Sequence, residues 1–446
     1  MFGIIMAPID ASMVNVILPT LTEVFEADIA TAQWIPMIYL LIISSLLLFF
    51  GRMGDVWGYK KVFLWGLAGF IVSSGLCGLS PGIYWLIAFR AVQAIGAAMM
   101  MAVPLAIITA CFPVSELGRA LGTYSISISA GLAIGPSFGG LIASLLGWRF
   151  TFLINVPLGI AAMFVANRTI PELRGGRGRQ DYWGAGTIFV FFFFLLMFIN
   201  RAQASGLSGV NAGMLALALG AGISFLFIEK RSDQPMLDLG LFRNVTFSFA
   251  SLSALLNFMA QYVVIFLTPF HLHRVLHFPP NKVGLIMTSF PLAVMAVAPF
   301  SGWIADRTGM RGGLSCLGAL ICSSSMLFLG LLQDSATAAQ VSLGLVIFGV
   351  GTGIFQAPNT SAAMSGISRH ELGIASSILA AMRNVGMVMG IAMAGAILHA
   401  LVANEILEKH SLNLFESGLF SRGLDAAFIA GAVVSALGAV TSLIKK

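Results

Sequence analysis

The sequence predicts an all-α membrane protein with fourteen transmembrane helices, built as two six-helix bundles with a further pair of helices inserted between them. Three observations predict it. The chain is 58% hydrophobic and only 9% charged, where soluble domains average about 25% charged. Its apolar runs have the length a bilayer needs. A short polar motif occurs twice, at the same place in each half. The 49 Gly, 35 Phe and 22 Met suit helices that approach closely through small residues and present large, adaptable apolar side chains. The net charge of +6 is spread over short loops, which reads as a topology signal rather than a nucleic-acid surface.

A hydrocarbon core of about 30 Å takes about 20 apolar residues per helix. That ruler places spans near 2–21, 34–53, 62–80, 83–111, 118–146, 150–167, 183–200, 206–228, 244–270, 282–304, 312–332, 337–365, 372–401 and 424–444. An even number puts both chain ends on one side. Arg52, Lys60, Lys61, Arg119, Arg168, Arg174, Arg177, Arg179, Lys230, Arg231, Arg243, Arg307, Arg311, Arg369, Lys445 and Lys446 fall on that side, and only Arg149, Arg201, Arg274, Lys282, Lys409 and Arg422 on the other. The excess marks the first side, with both termini, as cytoplasmic. The N-terminal apolar run is too long for a signal-peptide core and carries an acid.

The first span holds Asp10, near its middle, and Asn15. An ionisable group at mid-bilayer costs at least about 2.5–3.5 kcal/mol, so it is expected to be paired and functional. Only one other charge lies deep in the N-terminal half, Arg90 in the fourth span. A rise of 1.5 Å per residue puts the two Cα levels about 6 Å apart, within reach of a long side chain. A pair across the N-terminal bundle is expected. Nearness of Arg90 favours the charged carboxylate and desolvation the neutral acid, so any motion that changes their distance changes protonation. A permanent structural ion pair is the bland alternative.

The second span ends in "GRMGDVWGYKK" (51–61) and the second span of the later bundle in "GWIADRTGMR" (302–311). Gly51, Asp55 and Gly58 match Gly302, Asp306 and Gly309. An acid at a helix end beside Lys60 or Arg307 is expected to pair with a cation or with a neighbouring helix N-terminus. The glycines permit the tight turn. In the fifth span Gly131, Gly135 and Gly139 line one face, with Pro136 inside the helix, which gives close packing and a kink. The polar stretch "ELRGGRGRQD" (172–181) is a cytoplasmic linker, and the inserted pair with its "FVFFFF" run is lipid-facing. The domain division is 1–168, 169–243 and 244–446.

The C-terminal half carries Arg383 and Asn384 in the thirteenth span, with Asn257 and Gln261 in the ninth and Gln356 and Asn359 in the twelfth. No acid lies at comparable depth, so Arg383 is expected to face those amides. Trp34, Tyr39 and Gln93 join Asn15 as candidates for the opposite wall of a cavity. One deep acid against two deep bases leans toward monocationic, zwitterionic or anionic amphipaths. Cys77, Cys111, Cys316 and Cys322 lack paired metal spacing and are expected to be buried free thiols. "HLHRVLH" (271–277) is read as a boundary loop with snorkelling side chains. No metal site, nucleotide loop or hydrolase motif is seen, so neither an enzyme nor an ATP-driven pump is expected.

The repeated motif, "RAVQAIGAA" (90–98) and "GLAIGPSFGG" (131–140) resemble the signature set of the major facilitator superfamily. "IDASMVNVILP" (9–19), "GWRFTFLINVPLG" (147–159) and "GIASSILAAMRNVGMVMGIA" (373–392) look like its fourteen-span drug:proton antiporter branch. The resemblance implies two six-helix domains rocking around a cavity. It also implies proton-coupled export of amphipathic compounds from a bacterial inner membrane, by a monomer whose only energy source is the proton gradient. Asp10 and Arg90 would then serve proton coupling, while Gly135, Pro136 and Gly139 join the repeated motif as gating elements. Membrane lipids and a periplasmic adaptor are the partners it leaves room for. The alternative within the same fold is a lipid or lysolipid transporter. Val56 departs from the family pattern, which has Arg after the acid, whereas Arg307 keeps it.

Overall fold

A computed structural model of the chain describes residues 2–112, 114–172, 182–205, 208–231, 239–332, 336–365, 367, 372–409 and 414–444. Every regular element among the described residues is helical. The first half runs α1 (Phe2–Val24), the short α2 (Ile29–Ala32), α3 (Trp34–Trp57), α4 (Tyr59–Gly78), α5 (Ile83–Ala102), α6 (Pro104–Cys111), α7 (Val114–Leu146), α8 (Arg149–Leu153) and α9 (Asn155–Thr169). The inserted pair is α10 (Tyr182–Ser205) and α11 (Gly209–Arg231). The second half runs α12 (Val245–Phe270), α13 (Pro280–Thr308), α14 (Arg311–Leu329), α15 (Ala338–Met364), α16 (Leu372–Leu401), the short α17 (Asn404–Glu408) and α18 (Leu414–Leu443).

Without water in the hydrocarbon core each backbone amide must be satisfied within its own segment, so apolar runs of this length fold as helices. Among the described residues thirteen helical stretches are long and apolar enough to cross a membrane, and α10, with an apolar core at Gly186–Leu195, is a further long helix. Interruptions fall where the sequence removes a donor. Pro104 opens α6 just after α5 ends, and Pro157 lies two residues inside α9, beyond the break at Ile154. The last helix starts ten residues before the expected 424. It begins in a polar turn where Glu416 accepts a hydrogen bond from Lys409, which an apolar ruler passes over. That bond raises the Lys409 pKa, the hydrogen bond itself acting before the charge attraction.

The helices fall into two compact units: Met1–Leu21 with Trp34–Met236, and Thr22–Gln33 with Leu237–Lys446. In the first unit α5 lies along α3 and α4, α9 along α4, and the α10–α11 pair joins through α10 on α3. In the second, α12 lies along α16 and α18, while α15 is flanked by α13 and α14. The segment after α1 is fastened within this second unit. Arg274 Nη2 donates to Thr22 Oγ1 at 3.1 Å and Nη1 to the Leu407 carbonyl at 3.0 Å, and His273 lies 3.4 Å from Glu23.

Glycines set the tightest crossings. A Cβ on Gly96 of α5 would stand 2.6 Å from both the Gly66 carbonyl and the Phe70 nitrogen of α4. In unit 2 a Cβ on Gly318 of α14 would stand 2.6 Å from the Gly351 carbonyl and the Phe355 nitrogen of α15. Gly58 and Gly309, the final glycines of the repeated motif, have φ of +95° and +68°. A left-handed backbone there excludes ordinary side chains without strain.

Several expectations need correction. Cys77 and Cys322 are buried, but Cys111 is exposed and Cys316 half-buried, because a helix face turned outward from its bundle meets lipid rather than protein. Arg274, counted as a loop cation, is 2% exposed. His271 is buried in a π-helical turn, His271–Val275, that prolongs α12, so it does not snorkel.

Gly96→Ala and Gly318→Ala should each destabilise the protein by about 1–3 kcal/mol through overpacking against backbone. Gly51→Ala, with nothing within 4 Å of its added methyl, should leave stability unchanged. Thermal unfolding in detergent checks the contrast.

Candidate functional site

The centre of unit 1 is a buried polar cluster. Asp10 of α1 and Gln93 of α5 are 0% exposed, and Arg90 of α5 and Asn155 of α9 are 1% exposed. Arg90 and Gln93 are three residues apart and so share one helix face. The break at Ile154 makes Asn155 the first residue of α9. Ser74 and Cys77, again three apart, come from α4.

Arg90 Nη1 donates to Asp10 Oδ2 in a short ion pair and to Gln93 Oε1 at 2.7 Å. Asp10 Oδ1 accepts from Asn155 Nδ2 at 2.8 Å and from Gln93 Nε2 at 3.2 Å. Asn155 Nδ2 also reaches Ser74 Oγ at 3.1 Å, and Ser74 Oγ donates to the Phe152 carbonyl at 2.9 Å. The guanidinium lies over the Tyr39 ring, 4.1 Å from its centroid, with the Phe152 ring at 5.9 Å. Each charge is therefore held twice, by its counter-ion and by neutral groups: amides on the acid, an amide oxygen and aromatic faces on the base. Gln93 serves both. Protonating Asp10 leaves Arg90 with Gln93 Oε1 and Tyr39, so the cluster has partners for the base in either protonation state of the acid.

The expected residues divide into groups. Asp10, Arg90, Tyr39 and Gln93 come together here. Asn15, 8% exposed, lies elsewhere on α1, and Trp34 is half-buried at the start of α3. Gly135 and Gly139 pack on α1: a Cβ on either would run into Ser12 or Met13. Pro136 sits beside them inside α7. Asn359 Nδ2 donates to the Ala250 carbonyl of α12 at 3.0 Å, a helix-to-helix bond. Gln356, Arg383 and Asn384 are half-buried. The Arg383 guanidinium is 5.9 Å from the Phe258 ring. Asn257 is fully buried and Gln261 is 8% exposed, and a buried amide left unmatched costs about 1–3 kcal/mol.

At the repeated motif Lys60 and Gly302 are half-buried, while Asp306 and Arg307 are exposed. No ion pair of Asp306 occurs among the described residues; Arg307 lies over Trp303 at 5.0 Å instead. Exposed at a helix end, the acid is hydrated and gains little from a partner. The side chain of Asp55 lies outside what the structure describes. Asn155, Ser74 and Cys77, whose thiol lies 3.7 Å from Gln93 Oε1, were not expected. Asn155 had a readable signal, an amide five residues inside an apolar run with Pro157 just after it. Serine and cysteine occur throughout these spans and carry none.

The model of the Major Facilitator Superfamily matches residues 1–391 and 250–445. The chain is 29% identical over 415 residues to the riboflavin transporter RibZ of Clostridioides difficile, covering 92% of this chain and 89% of that protein. It is 31% identical over 415 residues to the multidrug resistance protein Stp of Mycobacterium tuberculosis, covering 92% and 76%. A crystal structure of a bacterial homologue of the human lysosomal transporter Spinster matches with a TM-score of 0.68 over 99% of this chain and 94% of that one. Its 17% identity makes it a likeness of fold.

Truncating one member of the pair strands the other charge in the bundle. Asp10→Ala and Arg90→Ala should each cost about 3–5 kcal/mol, and the double variant clearly less than the two together. A double-mutant cycle on detergent-solubilised protein measures the coupling.

Proposed function

The chain belongs to the Major Facilitator Superfamily, and on that premise we propose that it is a proton-coupled exporter of small amphipathic compounds, of the fourteen-span drug:proton antiporter type. It is a multi-pass membrane transporter; the coupling ion, the cargo and the direction of export are our reading. The observation that carries the reading is the Asp10–Arg90 pair, fully buried yet supplied with neutral partners for the base when the acid is neutral.

In this reading a proton taken up by Asp10 cancels its attraction to Arg90. Of the described polar bonds between α1 and α5, that of Gln93 to Asp10 then remains, while the Tyr39 ring of α3 still holds the guanidinium. Cargo favours the charged pair and protonation the separated one, so the two alternate through the cycle and exchange is obligatory. One proton moving inward across 100 mV supplies about 2.3 kcal/mol, which sustains roughly a fiftyfold gradient of an uncharged cargo. Arg90 and the amides position the acid; the proton is carried by Asp10.

Two relatives support transport of small organic molecules, one named for multidrug resistance and one for riboflavin. The second favours a neutral, vitamin-like cargo moved by the same cycle. The bias of Lys and Arg toward one set of loops supports a cytoplasmic membrane with both termini inside.

In inside-out vesicles with an acidified lumen, adding tetraphenylphosphonium should release luminal protons from wild type, read as recovery of a quenched pH dye. Asp10→Asn should abolish the recovery while the protein still inserts and folds. Undiminished recovery in that variant would remove Asp10 from the coupling.

A further inference from the structure

The two units repeat the same helix crossings, and the crossings fix which positions correspond. Gly131 and Gly135 of α7 face the carbonyls of Ile5 and Ile9 of α1, each 3.0 Å from the Cβ position. Gly386 and Gly390 of α16 face the carbonyls of Leu255 and Met259 of α12 in the same way, at 2.3 and 2.2 Å. Ile5 thus matches Leu255, Ile9 matches Met259, and Asp10 matches Ala260. The Gly66–Gly96 and Gly318–Gly351 crossings likewise match Arg90 with Leu345 and Gln93 with Phe348. Unit 2 has apolar residues at every position of the coupling triad.

Its polarity stands elsewhere. Asn257, Gln261 and Thr268 of α12 are 0%, 8% and 1% exposed and match Ala7, Ala11 and Leu18 of α1. At 100° per residue the three lie within about 40° of one another over a length of about 16 Å. Ala250, two turns before Asn257 on this face, accepts from Asn359 of α15 at 3.0 Å, so the stripe is turned toward α15. The oxygen of Gln261 and the hydroxyl of Thr268 have no hydrogen-bond partner among the described residues, and Asn257 has beside it the weakly bonding Cys322 thiol of α14. Inside a membrane span such atoms persist where something other than the chain satisfies them.

We propose that this stripe reads the cargo, and that the cargo it fits is an uncharged ring compound whose amide or imide groups both donate and accept. Asn257 and Gln261 stand one helical turn apart, about 6 Å, Thr268 stands two turns beyond Gln261, about 10 Å, and the stripe has no charge. A flat heterocycle can meet it along one edge. An organic cation finds no carboxylate there. This rests on the transporter reading of unit 1 and adds a division of labour to it: α1 carries the proton, α12 selects what is exchanged.

The test uses the full-length protein in detergent micelles and the fluorescent, uncharged 4-amino-1,8-naphthalimide, with tetraphenylphosphonium as a cation that offers no hydrogen bonds. Wild type should bind the naphthalimide saturably. Asn257→Leu, Gln261→Leu and the isosteric Thr268→Val should each lower the ratio of naphthalimide to tetraphenylphosphonium affinity about tenfold, one hydrogen bond's worth. Asn257→Leu should also melt no lower than wild type without ligand, since it removes a buried amide whose neighbour is the weakly bonding Cys322 thiol. No saturable binding, an unchanged ratio in Thr268→Val, or an Asn257→Leu protein that melts lower with its ratio intact would overturn the proposal. Proton release on adding tetraphenylphosphonium to inside-out vesicles, without naphthalimide binding, overturns the stripe and leaves the exporter. Naphthalimide binding with no cargo-driven proton release overturns the exporter and leaves the stripe.

Discussion

A charge in hydrocarbon must be matched where it stands, and the pairing of Asp10 with Arg90 is the constraint around which unit 1 is built. It ties α1 to α5. Through Asn155 and Ser74 it also ties in the start of α9 and the last turns of α4, at the helix break that Ile154 marks. The neutral shell has a physical purpose. A bare ion pair would be stable only when intact, whereas amide and aromatic partners let the base remain after the acid is neutralised. A proton carrier needs that property and a structural cross-link does not.

The fold supplies two copies of one bundle, and the sequence has used them differently. Close glycine crossings recur at matching positions because they set how near the backbones approach. The side chains inside those crossings are free to diverge. Unit 1 keeps an acid, a base and an amide at its centre. Unit 2 has Ala260, Leu345 and Phe348 there and moves its polar groups to another face of α12. Duplication followed by such divergence lets the two bundles differ chemically without altering the scaffold both share.

Much of this was legible in the sequence. Span length and hydropathy located the helices because the bilayer imposes a length that few other contexts do. The pairing of Asp10 with Arg90 could be argued from depth alone, since only two charges lie deep in that half. The repeated motif announced the duplication, and its final glycines hold the left-handed turns that a sharp reversal needs. The supporting cast was harder to see. Ser74 and Cys77 are ordinary residues of membrane helices, and only the crossing of α4 with α5 and α9 gives them partners. The exposure of Asp306, the burial of His271 and Arg274 and the bond from Asn359 to a backbone carbonyl depend on which way a helix is rotated. Hydropathy, nearly uniform around these spans, does not encode that rotation. The early start of α18 was missed for the related reason that its first turn is polar.

The central claim is that Asp10 changes protonation as cargo binds. Infrared difference spectroscopy of the protein in lipid, recorded as tetraphenylphosphonium is added, observes this directly through the carbonyl stretch of a protonated carboxylic acid. The account predicts that this band is lost on binding in wild type, with a carboxylate band gained, and that neither change occurs in Asp10→Asn. A band that is absent throughout in wild type, or that changes equally in the variant, would contradict it.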